Sequence, residues 1–319
     1  LFFSGYFCAK HIGMEKQHPG KLYAAALGAM ICFSLSFVWF KIANISYGPL
    51  TIVFFRLLAS SLILWIVNRL TGRLVMPVKK DFRYLLLLAF FEPFLYFMGE
   101  SYGLQYISPT VASVIIGTIP LFAPLAGFLF FREKISPRNL LGILLSFLGV
   151  ILVIYEFGVG LTASPVGVLL QFSAVFSAIG YTVVLHKISA RMNNLSIILF
   201  QNILGSLYFA PFWLAFEYRG FVQTPFDPKA MLAIGELAVF ASTLAFIFFT
   251  YSVRHMGITR SNMFVNFIPV FTALFAWLIL GDPLSAQKIL GIVVVITGLF
   301  FAQMKFRKSY EGPDPIPRT

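Results

Sequence analysis

The sequence predicts an all-α integral membrane protein, with ten transmembrane helices arranged as two inverted five-helix repeats. Three observations predict it. The 319 residues are 59% hydrophobic and only 11% charged, with a mean hydropathy of +0.87, whereas a soluble domain carries about 25% charged residues. Residues 119–149 lie without a gap on residues 268–298 after a shift of 149. Ile119, Pro120, Phe122, Leu125, Leu129, Ser136, Leu141, Gly142, Ile143 and Gly149 then match Ile268, Pro269, Phe271, Leu274, Leu278, Ser285, Leu290, Gly291, Ile292 and Gly298. The charges do not follow the duplication: one hinge is Arg132-Glu133-Lys134 with Arg138 beyond it, the other Gly281-Asp282-Pro283 with Gln287. Basic loops stay in the cytoplasm, so the two copies sit upside down relative to each other.

A spanning helix needs roughly 20 apolar residues, and the windows that supply them follow in order. Residues 1–21 form an N-terminal cytoplasmic tail, in which Met14 opens a polar leader and is a candidate true start. The apolar stretch before Met14 is too short to span and lacks a small-residue cleavage site. The first span, 22–41, runs from Lys21 to Lys41, and the second, 50–69, ends at Arg69. The third, 84–104, starts after Arg83; the fourth, 110–131, stops at Arg132; the fifth, 139–156, starts after Arg138. These five make the first repeat, 22–156. The sixth, 166–186, ends at Lys187, and the seventh and eighth, 195–216 and 230–250, flank Arg219 and Lys229. Arg260 precedes the ninth, 261–280, and the tenth, 288–304, lies between Lys288 and Lys305. These make the second repeat, 166–304. Residues 305–319 are polar and proline-rich at their end, the composition of a disordered cytoplasmic tail.

Alternating the sides from a cytoplasmic N-terminus places 19 of the 24 Lys and Arg inside. Only Lys41, Arg219, Lys229 and Lys288 fall outside, and Arg56 lies within a span. Both termini are therefore expected in the cytoplasm of a multi-pass protein. An odd number of spans per half requires the second half to insert inverted. The duplication also reaches further: Tyr102 and Thr110 fall on Tyr251 and Thr259 at the same shift, and Lys41, Ile42, Phe54, Leu58 and Ser60 fall on Lys187, Ile188, Phe200, Leu204 and Ser206 at a shift of 146.

Tyr102, Leu104 and Tyr106 at the end of the third span, the mid-span Ile119-Pro120, and the Glu133, Ser136, Gly142, Gly149 hinge resemble the EamA family of the drug/metabolite transporter superfamily. The resemblance covers about residues 20–303. It implies a proton-linked or exchange-type carrier, with many members exporting amino acids and other metabolites. The second hinge departs from the pattern, having Asp282-Pro283 where the first has an acidic-basic pair.

Ionisable groups inside spans cost about 2.5–3.5 kcal/mol on insertion scales and so mark function by default. Glu92, near the middle of the third span, is the coupling candidate, a carboxyl that loads and releases a proton as a midplane cavity alternates sides. Glu92, Tyr96 and Glu100 form an i, i+4, i+8 stripe on one face of the helix. Arg56, at the depth of Glu100, is its expected ion-pair partner, as a gate or a fixed brace. Glu236 lies about two turns into the eighth span. Each of these also has a plain structural reading, a protonated or paired group bonded to a neighbouring helix. Tyr96, Trp39, Gln171, Tyr181, Gln201, Asn202, Asn262 and Asn266 are substrate-path candidates, although most intramembrane polar groups simply bond across helices. Pro120, Pro124 and Pro269 are hinge candidates, because each frees a carbonyl one turn earlier. His186 and His255 sit at cytoplasmic span ends, where a solvated interfacial histidine is expected.

The expected function is secondary active transport of small metabolites such as amino acids by alternating access, in a bacterial inner membrane. A passive channel is the alternative, and a membrane-embedded enzyme a further one, disfavoured because no nucleophile, metal cluster or depth-matched acid pair is evident. The expected partners are a small-molecule substrate, the lipid bilayer and protons. No nucleic acid partner is expected, because the net charge of +12 is spread through short loops. No cofactor or metal is expected either. The two cysteines, Cys8 and Cys32, provide neither a disulfide framework nor a zinc spacing. Gly158-Val159-Gly160 lacks the lysine and hydroxyl residue of a phosphate loop. The sequence leaves the oligomeric state open and is compatible with a monomer.

Overall fold

A computed structural model of the chain describes residues 19–122, 137–157, 160–185, 192–256 and 264–303. In chain order its helices are α1 (Pro19–Ala43), α2 (Pro49–Leu70), α3 (Lys79–Ala89), α4 (Tyr96–Tyr106), α5 (Pro109–Ile116) and α6 (Pro137–Ile154). A two-stranded antiparallel hairpin, β1 (Tyr155–Glu156) with β2 (Gly160–Leu161), joins them to the second half. There follow α7 (Pro165–Leu185), α8 (Asn194–Phe212), α9 (Tyr218–Gln223), α10 (Pro228–Glu236), α11 (Ala245–Met256), α12 (Ile268–Phe275) and α13 (Ala286–Gln303). Several abut end to end through wide π turns, so that Lys79–Tyr106, Asn194–Gln223 and Pro228–Phe249 are each one long apolar span, the first of them kinked at Glu92. Among the described residues six helices are long and apolar enough to cross a membrane. Four shorter apolar helices, Pro109–Phe122, Leu140–Ile154, Ile268–Leu280 and Ala286–Phe301, occupy the fourth, fifth, ninth and tenth windows.

Apolar side chains face outward over much of the surface, among them Leu58, Leu62, Trp65, Leu144, Leu148, Phe176 and Trp277. The interior holds small residues and hydroxyls such as Ala29, Ser34, Ser60, Ser113, Ser146 and Ala174, each almost fully buried. This is the pattern expected where lipid is the solvent and helices associate by close packing and hydrogen bonding.

Two pairs of helices related by the sequence duplication touch each other, and they do so antiparallel. In the α6–α13 pair, a Cβ on Gly149 would lie 2.7 Å from Gly291 O, and one on Gly298 would lie 2.7 Å from Gly142 O. Gly142 and Gly149 are themselves the repeat equivalents of Gly291 and Gly298, so each glycine lets the opposite copy of the other come close. The α2–α8 pair behaves likewise. Asn193 and Ser196, at the start of α8, bond Arg73 O beyond the end of α2. At the opposite end, Trp213 Nε1 donates to Thr51 Oγ1 over 3.1 Å. An antiparallel contact between equivalent helices is what a two-fold axis perpendicular to them produces.

Two pairs of interruptions in the helices fall at equivalent positions of the duplication. The rod of the third window is broken over Phe90–Leu95, where Glu92 has φ −142° and ψ 118°. Pro93 follows it on a cis peptide bond, and proline has no N–H to continue a helical ladder. Its counterpart at a shift of 149 lies in the wide-turn segment Leu237–Leu244. A turn at Gly117-Thr118 precedes Pro120, and a turn at Asn266-Phe267 precedes Pro269; the two turns are 149 residues apart. They also meet, since a Cβ on Gly117 would lie 3.0 Å from the Pro269 ring.

The expected span over 84–104 is found as Lys79–Tyr106, beginning earlier and kinked at Glu92 into two helical segments. Hydropathy alone registers no break, because Phe90, Phe91, Phe94 and Leu95 keep the window apolar.

Candidate functional site

Polar groups gather around the broken third rod. Glu92 is largely buried at the break, and it interacts electrostatically with Glu100 and Tyr181. The break itself is tied down from α7, where Ser177 Oγ donates to Phe91 O at 2.5 Å. Helix α7 also holds the next turns: Gln171 Nε2 donates to Glu100 O at 3.0 Å, and its amide lies against Gly103, where no side chain intervenes. Tyr181, one further step along α7, donates to Gln201 Oε1 of α8 at 3.3 Å.

Tyr96 and Glu100 occupy successive turns of α4, and the Tyr96 hydroxyl donates to Glu100 Oε1 at 3.0 Å. The expected three-residue stripe holds for this pair. It does not extend to Glu92, because the extended backbone at Glu92 takes that residue off the helical spacing.

Arg56 of α2 is 5% exposed and Glu100 8%. The two charges interact, yet no hydrogen bond joins them. Arg56 instead donates from Nε and Nη2 to Ser242 Oγ, at 3.1 and 3.0 Å, and its guanidinium lies 4.5 Å over the Phe97 ring. Ser242 sits in the Leu237–Leu244 segment, at the repeat position of Pro93. The same segment is braced to α2 and α8: Ser60 Oγ donates to Ser242 O at 3.1 Å, Asn202 Nδ2 donates to Ser60 Oγ at 3.1 Å, and Thr243 lies 3.1 Å from Ser60. Asn202 is therefore part of a helix–helix brace.

The remaining expected residues distribute around this cluster. Trp39 of α1 packs on Phe240, 5.6 Å between centroids. Asn266 is buried at the turn before Pro269, where Ser34 of α1 donates to Ile268 O at 3.1 Å. Pro120 is half-buried beside the equivalent turn. Glu236 is half-accessible near the end of α10. His255 Nδ1 lies 2.8 Å from Tyr251 O, exposed at the end of α11. Asn262, Pro124 and His186 lie outside the described residues. Among the described residues no group of three His, Cys, Asp or Glu could hold a metal ion.

Three contributors escape a reading of the sequence. Pro93 carries a legible signal, a proline beside the mid-span acid. Ser242 and Phe97 carry none, since serine and phenylalanine are unremarkable in a span.

A second polar layer lies where α2 begins and the chain passes from α8 to α10. Glu217 accepts from Leu50 N at 3.1 Å and from Thr51 N and Thr51 Oγ1 at 2.7 Å each. Its carboxylate presses on Gly48, the N-cap position of α2, which has no side chain of its own to cap with. Ser46 donates to Asp227 Oδ2, and the Asp227 N–H donates to the Tyr47 hydroxyl at 3.2 Å.

Comparison with known proteins agrees with this architecture. The sequence profile of the EamA-like transporter family matches residues 20–155 and again residues 165–304. An uncharacterized transporter of Archaeoglobus fulgidus is 27% identical over 279 residues, 86% of this chain and 95% of its own length. The uncharacterized transporter YetK of Bacillus subtilis is 31% identical over 247 residues, 75% of this chain and 72% of its own. A solved crystal structure with 15% identity covers 89% of this chain and 98% of its own at a TM-score of 0.66, a likeness of fold.

Proposed function

Given that the chain belongs to the EamA-like transporter family, we propose that it is a secondary active carrier of small organic metabolites such as amino acids, working by alternating access. The observation that carries this reading is that helix interruptions fall at equivalent positions of the two repeats, the first of them at a mid-span carboxyl. Discontinuous helices at matching positions of two halves are where transporters of this architecture bind substrate and coupling ion. In this reading ten spans form two inverted five-span repeats in a bacterial inner membrane, with both termini cytoplasmic. Glu92 exchanges a proton with whichever side the cavity faces. Tyr96, Tyr181 and Glu100 line the path from it, and the Gly117 and Asn266 turns, beside Pro120 and Pro269, allow the two halves to tilt. Energy comes from a proton gradient or from exchange, with export the favoured direction by family resemblance. A channel would need neither the carboxyl nor a gradient.

The test is transport into proteoliposomes under an imposed pH gradient, with wild type and Glu92→Gln side by side and a panel of amino acids and small cationic drugs. Gradient-driven accumulation that is lost in Glu92→Gln, with binding retained, is the expected result. Equal accumulation in both would make Glu92 a structural acid and place coupling elsewhere.

A further inference from the structure

We propose that Gly205 of α8, together with Gly180 and Ser177 of α7, positions the coupling carboxyl: these second-repeat residues form the seat that holds the break in the first repeat's helix at Glu92. The inference rests on the transport reading above and adds to it the residues that fix where its carboxyl stands. The backbone leaves helical geometry at Glu92, and with it the regular spacing that sets a side chain on one helix face. What the flanking residues touch must then place Glu92. Both flanking residues touch the second repeat. The Pro93 ring is buried and lies against Gly205, where a Cβ would stand 3.0 Å from Pro93 Cδ and closer still to Cγ. The Phe91 ring lies against Gly180, where a Cβ would meet its Cδ1 and Cε1 at 2.6 Å. Ser177, one turn before Gly180 and 5% exposed, donates from Oγ to Phe91 O at 2.5 Å. Glu92 is thus held from both sides through its neighbours in sequence.

Gly180 and Gly205 both lie inside helices, where glycine is unfavourable relative to alanine, and each stands where a first-repeat ring takes up the space. The other half shows the reverse. The repeat equivalent of Pro93 is Ser242 and that of Gly205 is Ala59, so where the ring is absent the glycine is absent too. The two contacts differ in how far they can give. Proline Cδ closes the ring onto the backbone nitrogen, so a side chain at 205 displaces the backbone beside Glu92, whereas the Phe91 ring can turn away from one at 180. The titratable groups that face Glu92 are Glu100 and Tyr96 of α4 and Tyr181 of α7, and Arg56 of α2 interacts with Glu100 in turn. Helix α3 ends against the break in Leu86, Leu87, Leu88 and Ala89, and α8 brings Tyr208, which donates to Leu86 O at 3.3 Å. A change of about 1 Å in a charge separation of about 4 Å, at an effective dielectric constant of about 20, moves a titration midpoint by about 0.6 pH unit. A displaced break is therefore readable as a displaced midpoint.

The experiment needs no substrate. The purified full chain in liposomes is titrated with pH while the infrared C=O band of protonated carboxyl groups is recorded, and the part of that band lost in E92Q reports Glu92. G205A, G180A and S177A are compared with wild type and with G149A, which crowds the α6–α13 contact instead; thermal unfolding is recorded for each. The Glu92 midpoint is expected to move by about 0.5 pH unit or more in G205A and by less in G180A and S177A. In G149A it should stay at the wild-type value despite a comparable loss of thermal stability. Midpoints unchanged in G205A, G180A and S177A, or moved as far by G149A, would overturn the seat and leave Glu92 as the proton carrier. A wild-type chain in which no band sensitive to E92Q titrates would overturn the proton carrier and the seat together. Should G205A fail to fold, G180A and S177A decide, since their neighbours can give way: a shift in either sustains the seat, and none in both overturns it.

Discussion

Glu217 caps a helix to which it does not belong. Gly48 and Pro49 open α2 without a side-chain acceptor, and the carboxylate from the far end of the seventh window takes the first N–H groups instead. A negative group there also favours the positive end of the helix dipole. Glu217→Ala should destabilise the protein by about 1–3 kcal/mol, with Glu217→Gln retaining part of the loss, as read by unfolding in detergent. Asp227 gives a pH-dependent counterpart. The hydrogen bond from Ser46, then that from the Ala230 N–H, holds its carboxyl below the usual carboxylate range. A depressed folded-state value means that this contribution is complete above the unfolded value, about pH 3.9, and is lost as pH falls through the folded one. Asp227→Asn should therefore flatten the acid limb of thermal stability below about pH 4 and leave its shape unchanged near neutrality. Asp282 shows the opposite sign: burial raises its carboxyl, against the lowering influence of Lys41 and Lys288.

At the level of elements, close approach decides which glycines matter. A side chain on Gly149 would strike the Val295 backbone N at 2.6 Å and Gly291 O at 2.7 Å, and backbone cannot step aside as a side-chain tip can. Gly149→Val should cost about 1–3 kcal/mol or more through overpacking of α6 on α13. At Gly235 in α10 an added Cβ would meet nothing within 4 Å. Gly235→Ala should be neutral or stabilise by up to about 1 kcal/mol through helix propensity. Thermal unfolding of the two variants beside wild type measures both. The glycines at 142, 149, 291 and 298 were legible as matching positions in the duplication. Their partners were not, because a repeat says which residues are alike and not which of them touch.

For the whole molecule, the antiparallel contact of equivalent helices bears on orientation. Reporter fusions placed after Arg138 and after Lys288 are expected to land on opposite sides of the membrane, the first inside and the second outside. Both landing in the cytoplasm would remove the inverted arrangement. The apolar windows, the duplication and the charge asymmetry could all be read from the chain, since each is a property of neighbouring residues or of a constant offset. The break at Glu92 was partly legible through Pro93, yet a hydropathy window averages over it. The bond from Arg56 was hidden: its acceptor Ser242 lies 186 residues away, and nothing in a serine announces a guanidinium.

The sequence by itself determined the membrane class, the two related halves and the rarity of charge within the spans, because lipid tolerates only long apolar helices with their backbone groups paired internally. Tertiary structure alone decided which polar groups meet. Tyr96 and Glu100 join through local helical spacing, but the direction of Arg56 depends on how α2 packs on the Leu237–Leu244 segment. Buried charges take the partners that packing brings within reach, and that is settled only when distant helices have docked.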